Sequence, residues 1–143
     1  MPDQAAVTGC TCFRLRRAAR SMTRLYDAHL QAVGLTLTQY SLLSNLIRCA
    51  PLSIHRLATT MGMDRTSLSR TLTPLKDRGM IDFGSAEDRR SKVVLVTTEG
   101  LRVRQAAEGH WRAAQDDMQK RLGAAALAEL HRLLDFTFER LGD

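Results

Sequence analysis

Residues 54–98 read IHRLATTMGMDRTSLSRTLTPLKDRGMIDFGSAEDRRSKVVLVTT, and the placing of apolar side chains within them decides the fold. Ile54, Leu57, Ala58 and Met61 recur every three or four residues, the repeat of one helix face. Ser53 is placed to cap that helix, because its hydroxyl can accept from a first-turn N–H that has no partner inside the helix. Gly62 ends it, since glycine takes the left-handed conformation of a C-cap without steric cost. Asp64 then opens a second helix whose Leu68, Leu72 and Leu75 face inward. Two short amphipathic helices around a glycine turn are a helix-turn-helix pattern. Pro74 falls inside the second helix, where it removes a hydrogen bond, so a kink or an early end is expected there. After Gly79, Met80–Phe83 and Lys92–Thr97 read as strands joined by polar residues around Gly84 and by Glu87-Asp88-Arg89-Arg90-Ser91. Two strands with a long charged connection form a wing.

Upstream, residues 10–33 carry Leu15, Ala19, Met22, Leu25, Tyr26, Leu30 and Val33 at helical spacing, and Gly34 follows at the C-cap. Arg14, Arg16, Arg17, Arg20 and Arg24 crowd the first half of that helix. Thr38 is placed to cap the next helix, with Tyr40, Leu43, Leu46 and Ile47 as its stripe. Ala50-Pro51 stops it, because proline disfavours helical backbone in the residue before it. Downstream, Thr98 and Glu99 start a helix that runs to about Arg121, interrupted by Gly109 and carrying Trp111. Beyond Gly123, Leu127, Leu130, Leu134, Phe138 and Leu141 make a stripe, with Glu129, Arg132, Glu139 and Arg140 on the other side. The fold expected is mainly α with a small β-hairpin: a winged helix-turn-helix lobe over residues 36–98, flanked by helices over 10–33 and 99–143 in one domain. Long flanking helices with little to bury at home point to a second copy, so these are read as dimerisation helices.

A chain of 143 residues buries a sufficient core without disulfides or a structural metal. Cys10, Cys12 and Cys49 are odd in number and irregularly spaced, and His29, His55, His110 and His131 stand singly, so no metal and no cofactor is expected. No apolar run is long enough to span a bilayer, and Met1-Pro2-Asp3-Gln4 lacks the order of a secretory signal, so a cytoplasmic protein is expected, with no membrane partner. The balance of 21 Lys plus Arg against 15 Asp plus Glu, +6, favours a polyanionic partner.

Double-stranded DNA fits the location of those charges. Arg65, Thr66, Ser67, Ser69, Arg70 and Thr73 lie between the inward leucines and so project outward, followed by Lys76. Arg pairs bidentately with guanine O6 and N7, Ser and Thr hydroxyls suit phosphates or base edges, and the Thr methyl suits thymine. On the wing, Asp88 is placed to hold Arg90 extended, presenting Arg89 or Arg90 to a minor groove, while Lys92 meets a phosphate. A protein-interaction module without DNA gives no reason for arginine at positions 65, 70, 89 and 90 together. An enzyme is not expected, because no spacing suggests an activated nucleophile.

From Leu35 to Gly100 the chain resembles the MarR family of winged helix-turn-helix regulators. The resemblance is carried by Gly34-Leu35-Thr36-Leu37-Thr38-Gln39-Tyr40, Leu57-Ala58 with Met61-Gly62, Leu72-Thr73-Pro74-Leu75-Lys76-Asp77-Arg78-Gly79-Met80-Ile81, Asp88-Arg89-Arg90, and Leu95-Val96-Thr97-Thr98-Glu99-Gly100. It implies a homodimer joined by its N- and C-terminal helices, two lobes reading a pseudo-palindromic operator, and repression relieved by a small phenolic or aromatic effector or by cysteine oxidation. An effector pocket is expected where the first, second and fifth helices meet, with Tyr26, His29, Tyr40 and Trp111 as candidate lining residues. Cys12-Phe13-x-Leu15 with Tyr26 is similar to the first helix of the organic hydroperoxide-sensing (OhrR-like) branch, whose cysteine reacts with peroxide; Arg16 and Leu37 stand where that branch carries its other tyrosines. That makes Cys12, with Cys10 as partner, the candidate redox pair, and inert packing the alternative for all three cysteines.

Overall fold

The computed structural model describes residues 9–85 and 92–142. The described chain runs α1 (Thr11–Leu30), a 3-10 turn (Gln31–Val33), α2 (Leu37–Cys49), β1 (Leu52–Ser53), α3 (Ile54–Met61), α4 (Arg65–Asp77), β2 (Ile81–Ser85), β3 (Lys92–Val96), α5 (Thr98–Leu122) and α6 (Ala124–Leu141). It forms two compact units, Leu30–His110 and a second made of Met1–His29 with Trp111–Asp143.

The Leu30–His110 unit is the winged lobe. Its core takes Leu42, Leu43 and Leu46 from α2, Leu57 and Ala58 from α3, Leu68, Leu72 and Leu75 from α4, and Ile81 and Val94 from the sheet. The buried face of α2 is centred on Leu42, Leu43 and Leu46, so Ile47, expected in the stripe, sits at its edge and is 39% exposed. The cap of α2 is Thr36 and not Thr38. Thr36 Oγ1 accepts from the Gln39 N–H at 3.2 Å while Gln39 Oε1 accepts from the Thr36 N–H at 3.0 Å, a reciprocal capping box. Ser53 and Asp64 cap α3 and α4 as their spacing predicts, and Gly62 adopts φ 63° at the turn between them. The early end expected at Pro74 does not occur: α4 continues to Asp77. The prolyl ring faces solvent while Leu72 and Leu75 on either side stay in the core, so packing holds the final turn.

The wing is larger than a hairpin. β2 pairs antiparallel with β3 (Ile81 opposite Val96, Phe83 opposite Val94), and β1 adds to the other edge of β3 (Leu52 opposite Val94), giving the order β1-β3-β2. At its exit the Thr97 N–H donates to Met80 O at 3.0 Å, the Thr97 hydroxyl donates to Gly79 O, and Thr97 Oγ1 accepts from the Gly100 N–H at 3.1 Å. A Cβ on Gly100 would lie 2.1 Å from Met80 O, so the first turn of α5 abuts the sheet too closely for any side chain. Gly109 does not interrupt α5, which is continuous from Thr98 to Leu122; one interior glycine costs about 1 kcal/mol, too little to break a packed helix.

In the second unit α1 packs beside the C-terminal part of α5, burying Ala114 and Met118. Tyr26 Oη donates to Gln115 Oε1 at 2.7 Å, and burial pushes the Tyr26 phenol up from its ordinary value. Asp117 accepts from Arg121 Nε at 2.8 Å and faces His29 Nε2 at 3.2 Å. Those partners, Arg121 first and then His29, hold its carboxyl below the usual aspartate range. No residue of α6 is buried.

Candidate nucleic-acid interface

Because α4 is pinned through Leu68, Leu72 and Leu75, helix geometry sends Arg65, Thr66, Ser69, Arg70, Thr73 and Lys76 out along the opposite face, and all of them are exposed. Arg65 and Ser69, and Thr66 and Arg70, stand one turn apart. Among the described residues neither Arg65 nor Arg70 is matched to a carboxylate, so both guanidiniums keep their donors for a partner. Ser67 is withdrawn from this face. It is half-buried, its N–H donates to Asp64 Oδ1 at 2.8 Å and its hydroxyl to Asp64 Oδ2 at 2.9 Å. These two bonds, the backbone one larger, hold the Asp64 carboxyl below its ordinary range.

Two further side chains are partly committed. The Thr73 hydroxyl donates back to Ser69 O at 2.9 Å, which leaves its methyl and an oxygen lone pair facing out. Lys76 Nζ lies 2.6 Å from Asp82 Oδ1, tying the end of α4 to the start of β2 and lowering the Asp82 carboxyl. Lys92 is exposed at the start of β3, opposite Ser85. Asp88, Arg89 and Arg90 lie outside the described residues. Apolar spacing gives no reason to single out His55 and Arg56, yet the fold exposes both in the first turn of α3, beside the Ser53 cap.

The four candidate effector residues are divided between the units. Tyr40 is a core residue of the lobe at 4% exposure, with the Arg104 guanidinium 5.1 Å from its ring centroid. Arg104 Nε also donates to Ser44 Oγ at 3.1 Å, clamping α5 to α2. Tyr26, His29 and Trp111 belong to the other unit and are half-buried. Of these, His29 borders a groove of ≈ 550 Å³ between α1 and α5, whose floor includes Met22, Leu25 and Met118 and whose rim includes Arg24 and Arg121. Cys10, Cys12 and Cys49 are all exposed free thiols, so none is a core packing residue of the described chain. Cys10 precedes α1, and its sulfur accepts from the Phe13 N–H at 3.4 Å. Among the described residues no cluster of His, Cys, Asp and Glu is placed to hold a metal ion, and no helix is long and apolar enough to cross a membrane.

Residues 33–91 match the MarR family. The transcriptional regulator MosR of M. tuberculosis is 29% identical over 93% of this chain and 98% of its own, with a TM-score of 0.77. A second crystal structure of MosR, in complex with DNA, matches at 29% identity over 90% and 98% of the two chains, with a TM-score of 0.74. A probable transcriptional regulator from Pseudomonas aeruginosa shares the fold at a TM-score of 0.82, with 23% identity over 92% of this chain and 98% of that one. The family match covers the capped helices, α4 and β2, and the likeness to MosR extends over nearly all the rest, so the chain is similar to regulators of the MarR family.

Proposed function

We propose that this chain is a homodimeric, sequence-specific DNA-binding regulator that represses transcription in the cytoplasm and is released by a small-molecule effector. The match of residues 33–91 to the MarR family and the likeness to the regulator MosR support a transcription regulator in preference to an enzyme. The observation that carries the DNA reading is the outward face of α4, where Arg65 and Arg70 are exposed and unmatched by carboxylates on a helix held rigidly by three buried leucines. The complex of the MosR relative with DNA supports it.

In this reading α4 enters a major groove, with Arg65 and Arg70 on base edges and Thr66, Ser69 and Thr73 on bases or phosphates. Lys76 and Lys92 neutralise phosphates, joined by His55 and Arg56 where α3 crosses the backbone. Arg89 and Arg90 of the wing reach the adjacent minor groove, Arg90 oriented by Asp88. Two lobes related by a twofold read a pseudo-palindromic operator. The groove beside His29, apolar with Arg24 and the paired Asp117 and Arg121 at its edge, suits a small aromatic or phenolic effector, since ligand sites are mostly apolar with a few polar groups that set orientation.

Selecting bound genomic fragments with the purified protein supplies the operator. On it, Arg70→Ala is expected to cost about 1–3 kcal/mol and to relax specificity at one position, whereas Lys92→Ala weakens all sequences alike and lowers the salt slope by about 1. If neither Arg70→Ala nor Arg90→Ala changes affinity at moderate salt, the assignment fails. Exposure of Cys12 and Cys10 at the start of α1 favours a second reading, redox control of the same DNA-binding activity. A hydroperoxide titration that leaves operator affinity unchanged with all thiols free removes it.

A further inference from the structure

We infer that Asp82 is an affinity-limiting residue of the DNA-binding face: its carboxylate competes with DNA phosphates for Lys76 and so holds down binding to every sequence. The inference rests on the DNA reading of α4 and adds a residue that works against binding. Three cations lie along the outward face of that helix. Arg65 opens it, Arg70 follows, and Lys76 stands six residues beyond Arg70, about 9 Å further along the axis. Among the described residues Lys76 is the one of the three held by a carboxylate, its Nζ lying 2.6 Å from Asp82 Oδ1.

The two partners are not equally free to move. Asp82 sits in β2 opposite Leu95 of β3, and its Oδ1 also accepts from the Phe83 N–H at 2.9 Å, so the sheet fixes the carboxylate. Lys76 carries its ammonium on a flexible four-carbon stem. A phosphate therefore gains Lys76 by drawing it off a carboxylate that stays behind. It is then bound within one lysine side chain's reach of that unpaired charge, a separation comparable to the screening distance of about 8 Å at physiological salt. Both effects oppose DNA whatever its sequence, since neither involves a base edge.

As a structural tie the pair is superfluous. Its side chains are 44% and 59% exposed, and so exposed an ion pair adds little to stability. α4 is already anchored by Leu68, Leu72 and Leu75, and β2 by the buried Ile81 and its pairing with β3. A limit on affinity has a use in a regulator released by an effector. Coupling between two ligands is typically about 5–150-fold, so any DNA affinity surplus to recognition is affinity the effector has to overcome.

Fluorescence anisotropy of the full chain, on the selected operator and on a scrambled duplex of equal length, tests it with Asp82→Asn, Lys76→Ala and the double variant. Asparagine keeps the shape of aspartate and an oxygen for the Phe83 N–H, so the variant folds, and urea unfolding checks that it does. Asp82→Asn is expected to tighten binding about three- to tenfold, by the same factor on both duplexes, with the gain shrinking as salt rises. In the Lys76→Ala background the same substitution is expected to gain at least about twofold less, because no lysine is left to release. Unchanged or weaker binding by Asp82→Asn overturns the inference. So does an equal gain with and without Lys76, which is simple charge repulsion, and so does a gain confined to the operator, which makes Asp82 a base contact. A wild type that binds neither duplex would instead remove the DNA reading itself, so the two failures are distinguishable.

Discussion

Replacing Gly100 with alanine sets two physical effects of opposite sign against each other. Helix propensity alone favours alanine by about 1 kcal/mol. The added Cβ, however, would stand 2.1 Å from Met80 O and 2.8 Å from Val96 Cγ2, where contacts under 3.0 Å are essentially never found. Met80 O cannot simply retreat, because it accepts the Thr97 N–H at 3.0 Å and so joins the sheet to the start of α5. The first turn of α5 must therefore lift away by roughly an ångström, at about 1–3 kcal/mol for overpacking and about 1 kcal/mol for the strained hydrogen bond. Set against the propensity gain, the expected net loss is about 2 kcal/mol, a large part of the roughly 5–15 kcal/mol that holds a domain folded. Gly109→Ala in the same helix is the matched control: nothing lies within 4 Å of its Cβ position, so it should stabilise by about 0.5–1 kcal/mol. Urea unfolding of both variants and wild type at one protein concentration measures the difference, concentration being fixed because self-association shifts apparent stability. A Gly100→Ala protein as stable as wild type, or two variants moving in the same direction, would refute the lock between Met80, Thr97 and Gly100.

Arg104→Ala should cost about 1–2 kcal/mol in the same assay, through the lost bond to Ser44 and the lost contact with the Tyr40 ring; a variant as stable as wild type contradicts the clamp. Asp64→Asn keeps a good N-cap but removes a titrating group. Because the folded Asp64 carboxyl is held below 3.8, its contribution is complete above that ordinary value and is lost as pH falls through the lowered one. The stability gap between wild type and Asp64→Asn should accordingly narrow on acidification below about pH 4, and a gap constant with pH counts against the bonds from Ser67. Asp117→Asn should show the same acid-side behaviour, since Arg121 and His29 hold that carboxyl low in the folded state.

Most of the lobe is legible from neighbouring residues. Ser53, Gly62 and Asp64 act on the backbone within one turn of themselves, and leucines at three- and four-residue spacing can share only one helix face, so α3 and α4 follow from local chemistry. The outward places of Arg65 and Arg70 follow too, being the complement of Leu68, Leu72 and Leu75. Thr36 was legible as well, from the Thr-x-x-Gln of a capping box, though Thr38 is the more tempting hydroxyl.

Local signals therefore specify the set of helices, the helix-turn-helix with its wing, and the residue types on its outer face, because they act over a few residues. Tertiary structure alone decided that Leu52 and Ser53 make a third strand on β3, that Pro74 leaves α4 unbroken, and that Ser67 turns back to Asp64 while Arg104 crosses to Tyr40 and Ser44. The physical reason differs from one to the next but has a common root. A two-residue strand has no periodicity to read, and a proline is tolerated when the leucines around it are buried. A hydroxyl has several acceptors within reach, and a pairing between residues 44 and 104 depends on how α5 docks against α2. Each outcome is set by competition for partners that only the packed chain brings together.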